Sequence, residues 1–284
     1  MNHLRFDLCP AFPTHPVKVP MRLAVLLYLL LLLFPTCSDA QTVQLKDGKV
    51  FYGREIRRDG NFLFVKAAKP DGSVTDELVQ IPQLERIEFP EVPALAEARQ
   101  RAQTGDAAGV IESTTEAANF FRTYADLPGS PWSEIMRLRL PALAVAGTAD
   151  LLADLQKNWA PTGDAELDTA FRLMTAARND VSSVQTAWKA LAQPGAGSLA
   201  AGISFLELGK AALEAKQWRE ALSAFLSVEV FVPQHRVLLP SALLGATKAF
   251  LGKADRAKAS AYSRELTSDF PGTPEAAAAA ELLK

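Results

Sequence analysis

GISFLELGKAALEAKQWREALSAFLSVEVFVP, residues Gly202 to Pro233, decides how the chain is read. Apolar residues fall three and four apart on both sides of Ala215-Lys216-Gln217, as two amphipathic helices at 199–214 and 218–230 require. The three-residue break between them permits only a tight antiparallel return. Small residues stand where the helices would cross, Gly209 on the first and Ala221 on the second, and Phe225 is left to fill the space toward the next pair.

The same texture extends from Pro93 to the C-terminus. Helical periods are expected at 93–103, 106–124, 131–146, 148–159, 164–177, 180–191, 237–250, 254–268 and 273–283. Turns at Gly105, Gly147, Asn179, Lys216 and Gly252 recur at intervals of 42, 32, 37 and 36 residues, the period of helix pairs stacked as an α-solenoid. Pro141 falls inside one period and predicts a kink or a new helix there. Trp132, Trp159, Trp188 and Trp218 repeat at 27, 29 and 30 residues, which points to packing between successive pairs.

Phe205, Leu208, Gly209, Ala212, Ala221, Phe225 and Pro233 together carry a pattern that resembles a tetratricopeptide repeat. The next unit, 243–273, keeps Leu244, Gly245, Gly252 and Ala257 but departs at Lys248 and Ala261. Its ending, Asp269-Phe270-Pro271-Gly272, is similar to that of periplasmic repeats of this family. Upstream of 199 the hairpins follow the period without the motif. The resemblance implies that the first helices of successive hairpins line a concave groove, here Ile203, Leu206, Lys210, Leu213, Leu239, Ala242, Ala246, Ala249 and Phe250. Only Lys210 among the clamp positions suits a peptide carboxylate, so an apolar peptide or partner helix is the expected occupant. Packing of the same residues against a capping helix at 273–283 is the competing expectation.

Residues 41–90 differ in kind. TVQLK, KVFYGREI, NFLFVKAA, VTDELVQI and LERIEF read as five short strands. Asp47-Gly48, Asp59-Gly60 and Asp71-Gly72 separate the first four at a spacing of 12, supplying the positive φ of tight hairpins and predicting an antiparallel meander. So small a sheet protects its faces only by curling, and Gly53 is the expected bend or bulge. VQLKDGKVFYGREI resembles small SH3-like or Sm-like barrels of exported proteins, mostly interaction modules. Pro90 and Pro93 bracket the linker to the helices. The expected fold class is α+β multidomain, a small antiparallel β-barrel at 41–90 followed by an all-α, tetratricopeptide-like solenoid at 91–284.

MRLAVLLYLLLLLFPTCSDAQ, from Met21, has the basic start, apolar run and small-residue end of a secretory signal peptide at 21–40, after a proline-rich upstream extension at 1–20. The apolar run, Leu23 to Phe34, is too short for a permanent span. Lipidation at Cys37 is the alternative, weakened by Phe34 and Thr36 before it. Processing would leave an exported, periplasmic or secreted chain without cysteine and with His235 as its one imidazole. That excludes disulfides, Cys/His zinc sites and cysteine nucleophiles. Removing Arg5, Lys18, Arg22, Asp7 and Asp39 from the 30 Lys+Arg and 32 Asp+Glu leaves 27 and 30, so nucleic acid has no electrostatic footing as a partner.

His235 reads as a surface loop residue, and Asp164/Glu166/Asp168 as a helix N-terminus. Gly195-Ala196-Gly197-Ser198 lacks the lysine of a phosphate loop and reads as a turn plus the N-cap of the next helix. Neither cofactor nor metal is expected. The sequence points to a non-catalytic scaffold or adaptor for protein partners of the bacterial cell envelope. A permanently assembled structural subunit is the second expectation and an enzyme the third.

Overall fold

A computed structural model describes residues 41–69, 71–176, 181–193 and 197–284. The expectations at 1–20, 21–40, Cys37, Asn179 and Gly195-Ala196 lie outside the described residues. The chain is α+β: an N-terminal antiparallel sheet precedes an all-α region of stacked helices.

Strands β1 (Gln41–Leu45), β2 (Val50–Asp59), β3 (Phe62–Ala68), β4 (Val74–Gln80) and β5 (Leu84–Glu88) form one sheet in the order β4-β3-β2-β1-β5. The hairpin turns follow from Asp-Gly chemistry. Gly48, Gly60 and Gly72 have φ of 86°, 54° and 83°, while Asp47 and Asp71 accept the amide protons of Lys49 and Ser73 through Oδ1. The β2–β3 register shifts between Gly53 and Glu55, where a Cβ on Gly53 would come within 2.9 Å of Val65, so the sheet bends at the expected residue.

The expected barrel does not close. β4 and β5 remain the two ends of the sheet order, and the result is a half-barrel. β5 is occupied from elsewhere: the Ile87 amide donates to the Pro128 carbonyl at 2.9 Å. Gly129, at φ 90°, lies so close to the Ile87 carbonyl that a Cβ would run into it. The inner residues Val43, Ile56, Leu63, Val65 and Ile87 join one continuous hydrophobic core with the helices. Phe89 meets Phe121 edge-on at 5.0 Å, and the Tyr124 hydroxyl donates to the Ile56 carbonyl at 3.1 Å. Arg58 pairs with Asp126 and donates to the Thr123 carbonyl. The described residues from Gln41 onward accordingly form one compact unit.

The helices are α1 (Pro93–Gln103), α2 (Ala107–Phe121), α3 (Trp132–Ala146), α4 (Ala149–Lys157), α5 (Ala165–Ala176) and α6 (Val181–Leu191). They continue as α7 (Leu199–Glu214), α8 (Trp218–Phe231), α9 (Leu239–Gly252), α10 (Arg256–Asp269) and α11 (Pro274–Leu282). Among the described residues, side-chain N-caps start six of them: Asp106, Thr148, Asp164, Ser198, Asp255 and Thr273 each accept an amide of the first turn. α3 runs through Pro141 as one helix rather than breaking there. Arg139 ties α3 to α2, donating through Nη1 to the Ile111 carbonyl and to both Thr114 and Thr115 hydroxyls.

Close crossings organise the last hairpins. A Cβ on Gly209 of α7 would sit 2.6 Å from the Phe225 ring of α8, and one on Gly245 of α9 would strike the same ring. One phenyl group thus joins three helices. Gly252 is bare against Trp218 in the same way, at 2.6 Å. The stack also meets itself across a long stretch of chain: the turn at Gly105 packs on Pro240 and Phe270, with a Cβ there 2.6 and 2.8 Å from them.

Candidate functional site

The groove read from the sequence is filled by the chain itself. Ile203, Leu206, Leu239, Ala242, Ala246, Ala249 and Phe250 are all buried, because α7 is packed against α3, α5, α8 and α9, and α9 also against α11. Ala276 and Ala279 of α11 are buried in the same core. Leu213 is half-buried. Lys210 turns its ammonium to the Ala144 carbonyl at 3.0 Å and to Glu207 at 2.7 Å, so its donors are engaged within the chain. These residues form a helix-stacking core rather than an open trough.

An open groove lies on the other face of the same hairpin, between α6, α7 and α8, with a volume of about 610 Å³. Its floor is built of small side chains, Ala211 on α7, Ala215 at its C-cap and Ser223, Ala224 and Ser227 on α8, with Phe205 and Leu208 at its side. Lys189, Gln185, Gln217 and Glu220 stand at its margins. Ser223 and Ser227 line the groove at i and i+4, and Val230, at i+7 on the same stripe of α8 and 65% exposed, lies beyond the lining residues. Sequence reasoning missed this face because alanine and serine there read as ordinary helix surface. The signal is a stripe of small residues ending in an exposed β-branched one.

Chemistry-bearing residues elsewhere take structural roles. Asp164 Oδ1 accepts the Glu166 amide at 2.9 Å and Asp168 Oδ1 accepts the Thr162 amide at 3.0 Å, the helix N-terminus the sequence implied. Trp132 of α3 donates to the Ala160 carbonyl at 2.9 Å, and Trp159, in the loop after α4, stacks on Phe171 of α5 at 3.8 Å. Among the described residues no three His, Cys, Asp or Glu side chains group as a metal site, and no helix is long and apolar enough to cross a membrane.

His235 is half-buried rather than a free surface group. Burial is the main cause that holds its imidazole below the ordinary value of 6.5; Glu166 opposes this and Arg137 reinforces it. The folded state therefore prefers neutral imidazole. As the pH falls below about 6.5 the unfolded chain takes up the proton first, so this contribution to stability is complete above that pH and declines below it. His235→Gln should flatten the dependence. The urea midpoint of the wild type relative to the variant should fall between pH 7.5 and 5.5, and an unchanged difference would contradict this linkage.

Compared with known proteins, the chain matches no family model, no curated protein and no solved structure.

Proposed function

We propose that the chain is a non-catalytic scaffold or adaptor of the bacterial cell envelope whose α6–α8 groove holds an amphipathic helix of a protein partner. The observation that carries the reading is the groove's floor: alanines and serines let a helix backbone approach closely, as larger side chains would not. Val230, exposed beyond one end, gives an apolar stripe on the incoming helix something to cover. Lys189 and Glu220 at opposite margins would fix its direction by pairing with charges of opposite sign. The tetratricopeptide-like pattern at 202–233 and the signal-like segment at 21–40 support the class and the compartment.

Ala224→Arg and Ser227→Arg fill the groove from positions that are not in the core. Each should remove a defined set of partners captured from envelope extracts, at least about tenfold by quantitative mass spectrometry, with helicity unchanged. Identical capture by wild type and both variants would defeat the reading.

The second reading, a subunit held permanently in a larger assembly, draws on the sheet. β4 ends the strand order, and on the outer face Phe62 and Val74 are exposed, as is Leu78 at 57%. A stoichiometric partner that stays with the chain through high-salt purification, and is lost in Leu78→Lys rather than in the groove variants, favours this reading over the first.

A further inference from the structure

Residues of α1, α3 and the segment 234–237, which leads into the 3-10 turn Arg236–Leu238, line a separate open cavity of about 280 Å³. Three arginines, Arg99, Arg137 and Arg236, converge on it together with His235, and among the described residues lining it none is acidic. The remaining wall is apolar, with Leu138 and Pro141 prominent. Such a cavity is at the small end of ligand pockets.

The three guanidinium groups are not equivalent. Arg99 is held by Glu134, and Arg137 by Asp164 and Glu166. Those last two acids also accept backbone amides, Asp164 from Glu166 and Leu167 and Glu166 from Leu199, which fixes them as anchors off the cavity wall. Arg236 differs. Its Nε donates to the Gln103 carbonyl at 2.9 Å, and its guanidinium carbon lies 4.9 Å over the Phe270 ring. Among the described residues no acid pairs with it, and neither Nη is hydrogen-bonded to the chain. A partly desolvated guanidinium with free paired donors takes a carboxylate in bidentate fashion at the least cost, because the fork geometry matches and the charge is compensated.

We infer that this cavity binds a small carboxylate with a short apolar body, the carboxylate on Arg236 with Arg99 and Arg137 as flanking contacts and the apolar body against Leu138 and Pro141. The site is independent of the helix groove and stands or falls separately from it.

His235 reports on the cavity directly. Its imidazole resonances, assigned in the full chain by their loss in His235→Gln, should move and saturate on titration with butyrate. Arg236→Gln should weaken that binding by about tenfold or more, and Arg99→Gln, which removes only an exposed ion pair from the fold, should weaken it by a smaller factor at an unchanged melting temperature. Absence of saturation below about 50 mM butyrate overturns the site. Equal binding of the neutral butyramide shows that charge is not read and also overturns it, as does full retention of affinity in Arg236→Gln. Equal binding of inorganic phosphate overturns the carboxylate assignment.

Discussion

Phe225→Ala should cost about 3–5 kcal/mol of unfolding free energy and lower the melting temperature by roughly 10 °C. The ring is buried where α7, α8 and α9 meet, and the glycines against it, Gly209 and Gly245, have no side chain to move into its place. Backbone would have to shift to close the void, so most of it stays. A double-mutant cycle sharpens the test. Gly209→Ala alone should destabilise by about 1–3 kcal/mol, since its Cβ would overlap the ring. In the Phe225→Ala background the same change meets a void and gains helix propensity, so it should be neutral or stabilising by about 1 kcal/mol. Additive effects would mean that the three-helix contact is not what holds this hairpin pair together.

Gly129→Ala should be nearly as damaging. The residue sits at φ 90°, where an L side chain is strained, and the new Cβ would be driven into the Ile87 carbonyl. The loop must lift away from β5, losing the Ile87 amide bond to Pro128 and uncovering the strand edge. Strain and the lost hydrogen bond together come to about 2–4 kcal/mol. Hydrogen exchange distinguishes the cause: the Ile87 amide should lose protection while amides of α7 to α9 keep theirs in conditions far from global unfolding. An Ile87 amide that stays protected in a variant of wild-type stability would show that the loop does not guard the strand.

The helices and strands were legible because their signals are local. Period, caps and Asp-Gly turns placed the strands and helices within about three residues of where they stand, and Gly53 was readable as the bend. What covers the unclosed side of the sheet was not legible. It depends on Tyr124, Pro128 and Gly129, which reach back to strand residues far earlier in the chain, and nothing in their own neighbourhood announces the partner. Pro141 starts no new helix for a related reason: the tertiary packing of α3 retains as one helix a stretch that local propensity would interrupt. The groove shows the limit most clearly. A helical period identifies Ile203 and Leu206 as a face that must be covered, yet it cannot say whether another protein or the chain's own helices cover it. The open face, marked by Ala211, Ala215 and Ser227, carries too little hydrophobicity to register as a signal.

The contact of the Gly105 turn with Pro240 and Phe270 alters how the stack should come apart. An array in which each hairpin touches only its neighbours loosens from its ends, one unit at a time, and tolerates the loss of a terminal unit. Here the opening hairpin is braced by residues near the close of the chain, and the Arg236 bond to the Gln103 carbonyl spans the same join. Freeing either end exposes the other, so the helices should melt in a single cooperative transition, and shortening the chain by one hairpin should cost the whole structure rather than a part of it.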